Sequence, residues 1–151
     1  MTTSLDEVCD LFLGRITDYR LTTLYTTSGS GALNTYLEPY LLDAIDEFDV
    51  CDQALVYSTS TQTFSVTLTS INKNMLSFIM VKYWLAKEIR DINQMRLHLF
   101  DRDYKTFAEA NNLKTKIDLY TITCEEVSNK LTSYGYKRWV TWDDWDDQDF
   151  R

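Results

Sequence analysis

The chain has 151 residues, 44% of them hydrophobic and 25% charged, which is sufficient for one domain with its own core. Its formal net charge of −8 divides equally between residues 1–138 and residues 139–151. Neither part offers the basic surface that binding to nucleic-acid phosphates requires, so a direct grip on DNA or RNA is not expected. One proline and four glycines favour long helices over an all-β fold.

The first predicted element is an amphipathic helix that begins after Ser4. Ser4 and Glu7 have the spacing of a capping box, in which each side chain satisfies the other residue's free backbone N–H. The helix should fray over residues 18–24, and TTSGSG at 26–31 predicts a flexible loop. One face is apolar at helical spacing: Leu5, Val8, Cys9, Phe12, Leu13 and Ile16.

A second helix is predicted from Leu37 to Phe48, with Pro39 tolerated near its first turn, where a missing N–H costs nothing. Residues 55–70 then change character, because apolar and hydroxyl side chains alternate. This pattern predicts a strand or hairpin arm with residues 55–57 as the partner strand, and an extended loop is the alternative.

Two long helices follow. The third, about Lys73–Gln94, is apolar over more than half its circumference, which is typical of a central helix. The last helix, with a lead-in from Tyr104, should end at Gly135. It is expected to lie along the bundle core, and a two-stranded coiled coil is the alternative. Its apolar stripe advances in steps of four and three residues: Leu113, Ile117, Tyr120, Cys124, Val127, Leu131 and Tyr134.

The predicted fold is therefore mainly α: a helical bundle with a long C-terminal helix, a small β-hairpin or extended arm, and a C-terminal tail. Residues 1–138 form the helical domain, and residues 139–151, WVTWDDWDDQDFR, form an acidic, tryptophan-rich tail. The N-terminus MTTSLDEV does not have the pattern of a signal peptide, and the longest apolar run, 78–81, is too short to span a membrane.

The sequence predicts neither an enzyme nor a metal or cofactor site. It has one histidine, His98, expected in a connection between two helices, and it lacks phosphate-binding and nucleophile motifs. The cysteines are widely spaced, and Cys9 and Cys124 fall on apolar stripes as small buried residues. DDWDDQD at 143–149 has alternating carboxylates but lacks the glycine and closing glutamate of a calcium loop.

The order of several segments resembles the head–tail connector adaptor proteins of long-tailed, siphovirus-like phages, especially those of Gram-positive hosts. The most specific pieces are MVKYWL at 80–85 and DYKTFAEANNLK at 103–114. Around them, the resemblance covers roughly residues 5–136 through DLFLGRITDYRL (10–21), YLEPYLLDAIDEF (36–48), FSVTLTSINKNMLSFIMVKYWLAKEI (64–89), DRDYKTFAEANNLKTKIDLY (101–120) and the pair Tyr134 and Tyr136.

This resemblance implies a virion protein of the phage neck. It implies a ring, usually of twelve copies, docked under the portal protein and extending the DNA channel towards a stopper or tail-completion protein. It implies no cofactor and no membrane. A mildly acidic body suits a channel through which DNA passes without specific binding.

Two sets of contact residues are predicted. Phe64, Val66 and Leu68 of the Thr-rich segment are expected at the contact between subunits, through strand pairing. The tail extends beyond the family pattern, and its aromatic residues are expected to anchor on the portal when the protein docks. They are Trp139, Trp142, Trp145 and Phe150.

Three alternatives remain open at this stage. The tryptophans can fold back onto the protein's own bundle. The chain can be another neck protein of the stopper or tail-completion type. It can also be a small acidic regulator or inhibitor that imitates DNA with its aspartate-rich tail.

Overall fold

The computed structural model describes residues 2–98 and 106–140, with the side chains of residues 2–94 and 112–137. The described elements confirm a mainly helical fold with a small hairpin. In chain order they are α1 (Leu5–Leu13), α2 (Tyr19–Glu47), β1 (Tyr57–Ser58), β2 (Thr63–Phe64), α3 (Ser70–His98) and α4 (Thr106–Val140).

Helix α3 is the centre of the bundle, as its broad apolar surface predicts. It packs against α1, α2 and α4, and its Leu76, Ile79 and Met80 are fully buried. Helix α4 lies along α3, with Leu113 and Val127 buried, so the predicted apolar stripe faces the chain's own bundle. The stripe is not uniform, because Ile117 remains 42% exposed.

The N-terminal helix is shorter than predicted. The Ser4–Glu7 capping box is present, but α1 ends at Leu13, before Ile16. Residues 18–24 do not form the frayed end of this helix; they begin α2. Asp18 is the N-cap, and its Oδ1 accepts a hydrogen bond from the Arg20 N–H at 2.7 Å. Such a cap satisfies one of the free N–H groups that open a helix.

The loop predicted at 26–31 is wrong, because helix α2 runs through this segment with one break. The break is at Gly29, whose φ of 79° and ψ of 179° are non-helical. Only glycine adopts this combination at little cost, so a single residue changes the chain's direction and helical structure resumes after it. As a result Pro39 lies inside α2 instead of in a first turn. Because proline has no backbone N–H, it cannot donate the helical hydrogen bond to the Thr35 carbonyl.

The hairpin is confirmed, and Tyr57 belongs to the partner strand as predicted. Tyr57 pairs with Phe64 and Ser58 with Thr63 in antiparallel register. The N-terminal segment covers the other edge of β2: the Phe64 N–H donates to the Thr3 carbonyl at 2.8 Å, and Ser4 bridges to Thr63. Both edges of β2 are therefore occupied within the subunit.

Two predicted helix ends are wrong. Helix α4 continues through Gly135 to Val140, two residues past the predicted domain boundary. A Cβ at Gly135 would meet no heavy atom within 4 Å, so the glycine stands in open space, and the contacts of Tyr134 hold this turn to the bundle. His98 is the last residue of α3 and not part of a connection.

Candidate interaction surfaces

Within residues 2–98 and 106–140, no group of three or more His, Cys, Asp or Glu side chains could hold a metal ion. Burial raises the pKa of the Cys9 thiol to about 12, which agrees with its predicted place in the core, whereas Cys124 is only half-buried. No helix in this part of the chain is long and apolar enough to cross a membrane.

The hairpin residues predicted at a subunit contact lie in the subunit's own core. Phe64 and Leu68 are buried, and Val66 is half-buried against the same cluster. The Phe64 ring packs on Tyr57, whose hydroxyl donates to Glu38 of α2 at 2.8 Å. These side chains hold the hairpin to the bundle. Strand pairing between subunits stays a prediction. Because both edges of β2 are occupied within the subunit, such pairing would have to use β1.

The tail residues predicted to dock on the portal are only partly within the described structure. Trp139 belongs to the last turn of α4. Trp142, Trp145 and Phe150 lie outside the described residues, as does the DDWDDQD segment. Their role as anchors therefore stays a prediction.

A second stripe runs along the solvent side of α4. It repeats the same four- and three-residue steps as the buried stripe, and all seven of its residues are exposed. Leu119 is 49% exposed, Ile122 53% and Tyr136 67%. We call it the outer stripe: Thr115, Leu119, Ile122, Glu126, Asn129, Ser133 and Tyr136. Steps of four and three keep residues on one side of a helix, so this side of α4 presents three apolar side chains to solvent among four polar ones.

A groove of about 730 Å³ lies between the start of α3 and the last turns of α4. We call it the α3–α4 groove. Its apolar part is Met75 and Ile71, and Ile71 is 63% exposed. Lys130 and Lys137 line it from α4.

A polar network fixes one wall of this groove. The Tyr134 hydroxyl donates to the Asp52 carboxylate and lies 2.8 Å from Oδ1 of Asn72, which is fully buried. The Asn72 amide donates to Asp52 at 2.8 Å and to Gln53 at 2.7 Å. Burial and the hydrogen bond to Asp52 raise the pKa of Tyr134 above its ordinary value. The last turns of α4 are thereby attached to the loop after α2 and to the first turn of α3.

A charged cluster fastens the other end of α4. Glu88 of α3 is only 4% exposed, and its Oε2 accepts hydrogen bonds from Arg20 of α2 and from Lys116 of α4, the latter at 2.9 Å. The two cations offset the cost of burying this carboxylate. A cleft of about 650 Å³ opens beside the cluster, with Trp84 in its wall. Three helices are thus joined through a single side chain.

Comparison of the chain with known protein families, characterised proteins and solved structures finds no match. The candidate surfaces therefore rest on the geometry of the chain itself. Sequence reasoning missed both the outer stripe and the α3–α4 groove. The signal for the outer stripe is that Leu119 and Ile122 are apolar residues off the predicted buried stripe. The groove joins positions about 60 residues apart and has no local signal.

Proposed function

We propose that the chain is a phage virion structural protein, a head–tail connector adaptor of the neck. In this proposal copies of the chain form a ring, with twelve as the family's usual number, docked under the portal protein. The ring extends the DNA channel towards a stopper or tail-completion protein. Its place in the virion follows from the resemblance in segment order over residues 5–136.

The observation that carries the proposal is the outer stripe of α4. It offers Leu119, Ile122 and Tyr136 to solvent along a helix of 35 residues. The polar Asn, Ser, Thr and Glu residues of the stripe keep its apolar patches small, which favours a soluble free subunit. Such a surface suits a contact that forms after folding. A ring of identical copies needs such a face on each subunit to meet a different face of the next subunit.

The charge distribution supports the same proposal. Residues 1–138 carry a net charge of only −4, half of the total for the whole chain. A channel wall with a mild negative charge repels DNA weakly and offers little for phosphates to bind. DNA would then pass without being held, which a head–tail channel requires.

Production of the chain together with the portal protein of the same phage tests the proposal. Electron microscopy of the purified complex is expected to show a ring of the chain on the tail-facing side of the portal. The chain alone is expected to sediment as a monomer. A soluble monomer or dimer that ignores the portal and competes with DNA for a basic protein would contradict the proposal in favour of a regulator.

A further inference from the structure

We propose that residues 141–151 fold back into the α3–α4 groove of the same chain before assembly. The inference goes beyond the proposed function, because it concerns the isolated subunit and does not depend on the identity of any partner. The segment that would occupy the groove begins directly after α4 in the same chain.

The floor of the groove suits aromatic side chains. Ile71 lies in the first turn of α3 and exposes 63% of its surface, and Met75 follows one turn later on the same side. Covering the exposed part of Ile71 would remove apolar surface from water and so stabilise a bound segment. Trp142 and Trp145 are large, flat side chains that would remove this apolar area from water.

The charges of the groove and the segment are complementary. Lys130 and Lys137 line the groove, while the Asp52 carboxylate on its opposite side already accepts hydrogen bonds from Tyr134 and Asn72. Residues 141–151 contain five aspartates and one arginine. The groove also adjoins the N-terminal end of α3, where the helix dipole favours negative charge. An acidic segment with aromatic residues therefore fits both parts of the groove.

The segment is long enough to reach. Helix α4 ends at Val140, three residues after Lys137. Eleven extended residues span up to about 36 Å. The helix from Asn129 to Val140 covers about 16 Å at its rise per residue. A tethered segment also has an effective concentration of roughly millimolar or more, which favours the chain's own tail over that of a separate copy.

Folding back would have a consequence for assembly. The tryptophans would be covered in the free subunit and released only when another surface competes for them. The segment would thereby protect the isolated protein against association through exposed indoles.

Fluorine NMR of the full chain labelled with 5-fluorotryptophan tests this inference. The chain has four tryptophans, and Trp142→Phe and Trp145→Phe assign the two resonances of interest. Both resonances are expected away from their positions in the urea-unfolded chain. Ile71→Asp is expected to return them to those positions, while the resonance of the core residue Trp84 stays in place and reports intact folding. Ile117→Asp, at an exposed isoleucine of α4 outside the groove, is the matched control and should move neither resonance.

Three results would overturn the inference. In the first, both resonances already have unfolded-chain positions in the native protein. In the second, they are shifted but respond neither to Ile71→Asp nor to a second groove variant, Lys130→Glu. That result would mean that the tail binds outside the groove. In the third, the shifts disappear on dilution, which assigns the groove to the tail of a neighbouring copy.

Discussion

Helices α3 and α4 are the two long helices of the C-terminal half, and they use their apolar residues in different ways. Helix α3 is enclosed by three other helices, and its Ile79 is fully buried. Helix α4 packs mainly on α3, and its Ile122 exposes about half of its surface. The same residue type therefore stabilises the fold in one helix and is available for contact in the other.

This difference predicts that the two helices contribute unequally to the stability of the subunit. Burial of apolar surface contributes in proportion to the area removed from water, so α3 should dominate the free energy of unfolding. The outer stripe of α4 contributes little to that free energy in the isolated subunit. Variants that distinguish the two helices test this view.

The largest effect is expected from truncation in α3. Ile79→Ala removes a fully buried side chain and leaves a cavity, so it should lower the free energy of unfolding by about 3 kcal/mol. Ile122→Ala makes the same chemical change at an exposed site and should alter it by less than about 0.5 kcal/mol. Urea unfolding followed by circular dichroism measures both. Equal losses would mean that α4 is as enclosed as α3.

A smaller effect is expected where α4 is fastened to α3 by charge. Replacing both Arg20 and Lys116 with methionine leaves the Glu88 carboxylate buried without a cation. The free energy of unfolding should fall by about 2 kcal/mol, less than for a fully buried pair because Arg20 already reaches solvent.

Lys87→Met provides the control for this charge effect. It breaks an exposed pair with Asp91, at 3.9 Å, and removes the cation 4.9 Å from the centre of the Tyr36 ring, so it should cost less than about 1 kcal/mol. A double variant as stable as this control would show that Glu88 does not need its cations.

The smallest effect is expected at the start of α1. The hydrogen bond from Lys73, followed by that from the Ser4 N–H, holds the pKa of Glu7 below its usual value of 4.5. Because the folded-state pKa is lowered, the stabilisation is present above pH 4.5 and is lost as the pH falls through the folded-state value. Glu7→Gln keeps the capping geometry without the charge, so it should cost about 0.5 kcal/mol at pH 7, reduced by solvent screening.

Unfolding of both proteins between pH 7 and pH 3 checks this prediction. The difference between wild type and Glu7→Gln is expected to shrink below pH 4.5. A difference that stays constant over this range would contradict an electrostatic origin.

Local patterns predicted most of the elements but not how they are joined. The capping box at Ser4 and the apolar stripes of α3 and α4 depend on neighbours within one or two turns, and both stripes face the core as expected. The segment around Gly29 was misread because a loop and a one-residue helix break have the same glycine-rich composition. The predicted end at Gly135 is wrong because a glycine permits a helix to end without requiring it, and the turn before it is held to the bundle by Tyr134.

The candidate surfaces were harder to predict. The alternation at Phe64, Val66 and Leu68 indicates correctly a strand with one apolar side, but it does not reveal what covers that side. The structure shows that the core covers it. The α3–α4 groove depends on Ile71 and Lys130 lying side by side, which only the packing of two distant helices brings about.

The central claim is that the outer stripe of α4 joins one subunit to the next, and the mass of the portal-bound assembly tests it most directly. The double variant Leu119→Glu/Ile122→Glu should fold with wild-type stability but leave the portal without a ring. Ile117 lies about 140° from Ile122 around the same helix, so the variant Ile117→Glu should form a ring of wild-type mass. A complete ring from the double variant would contradict the account.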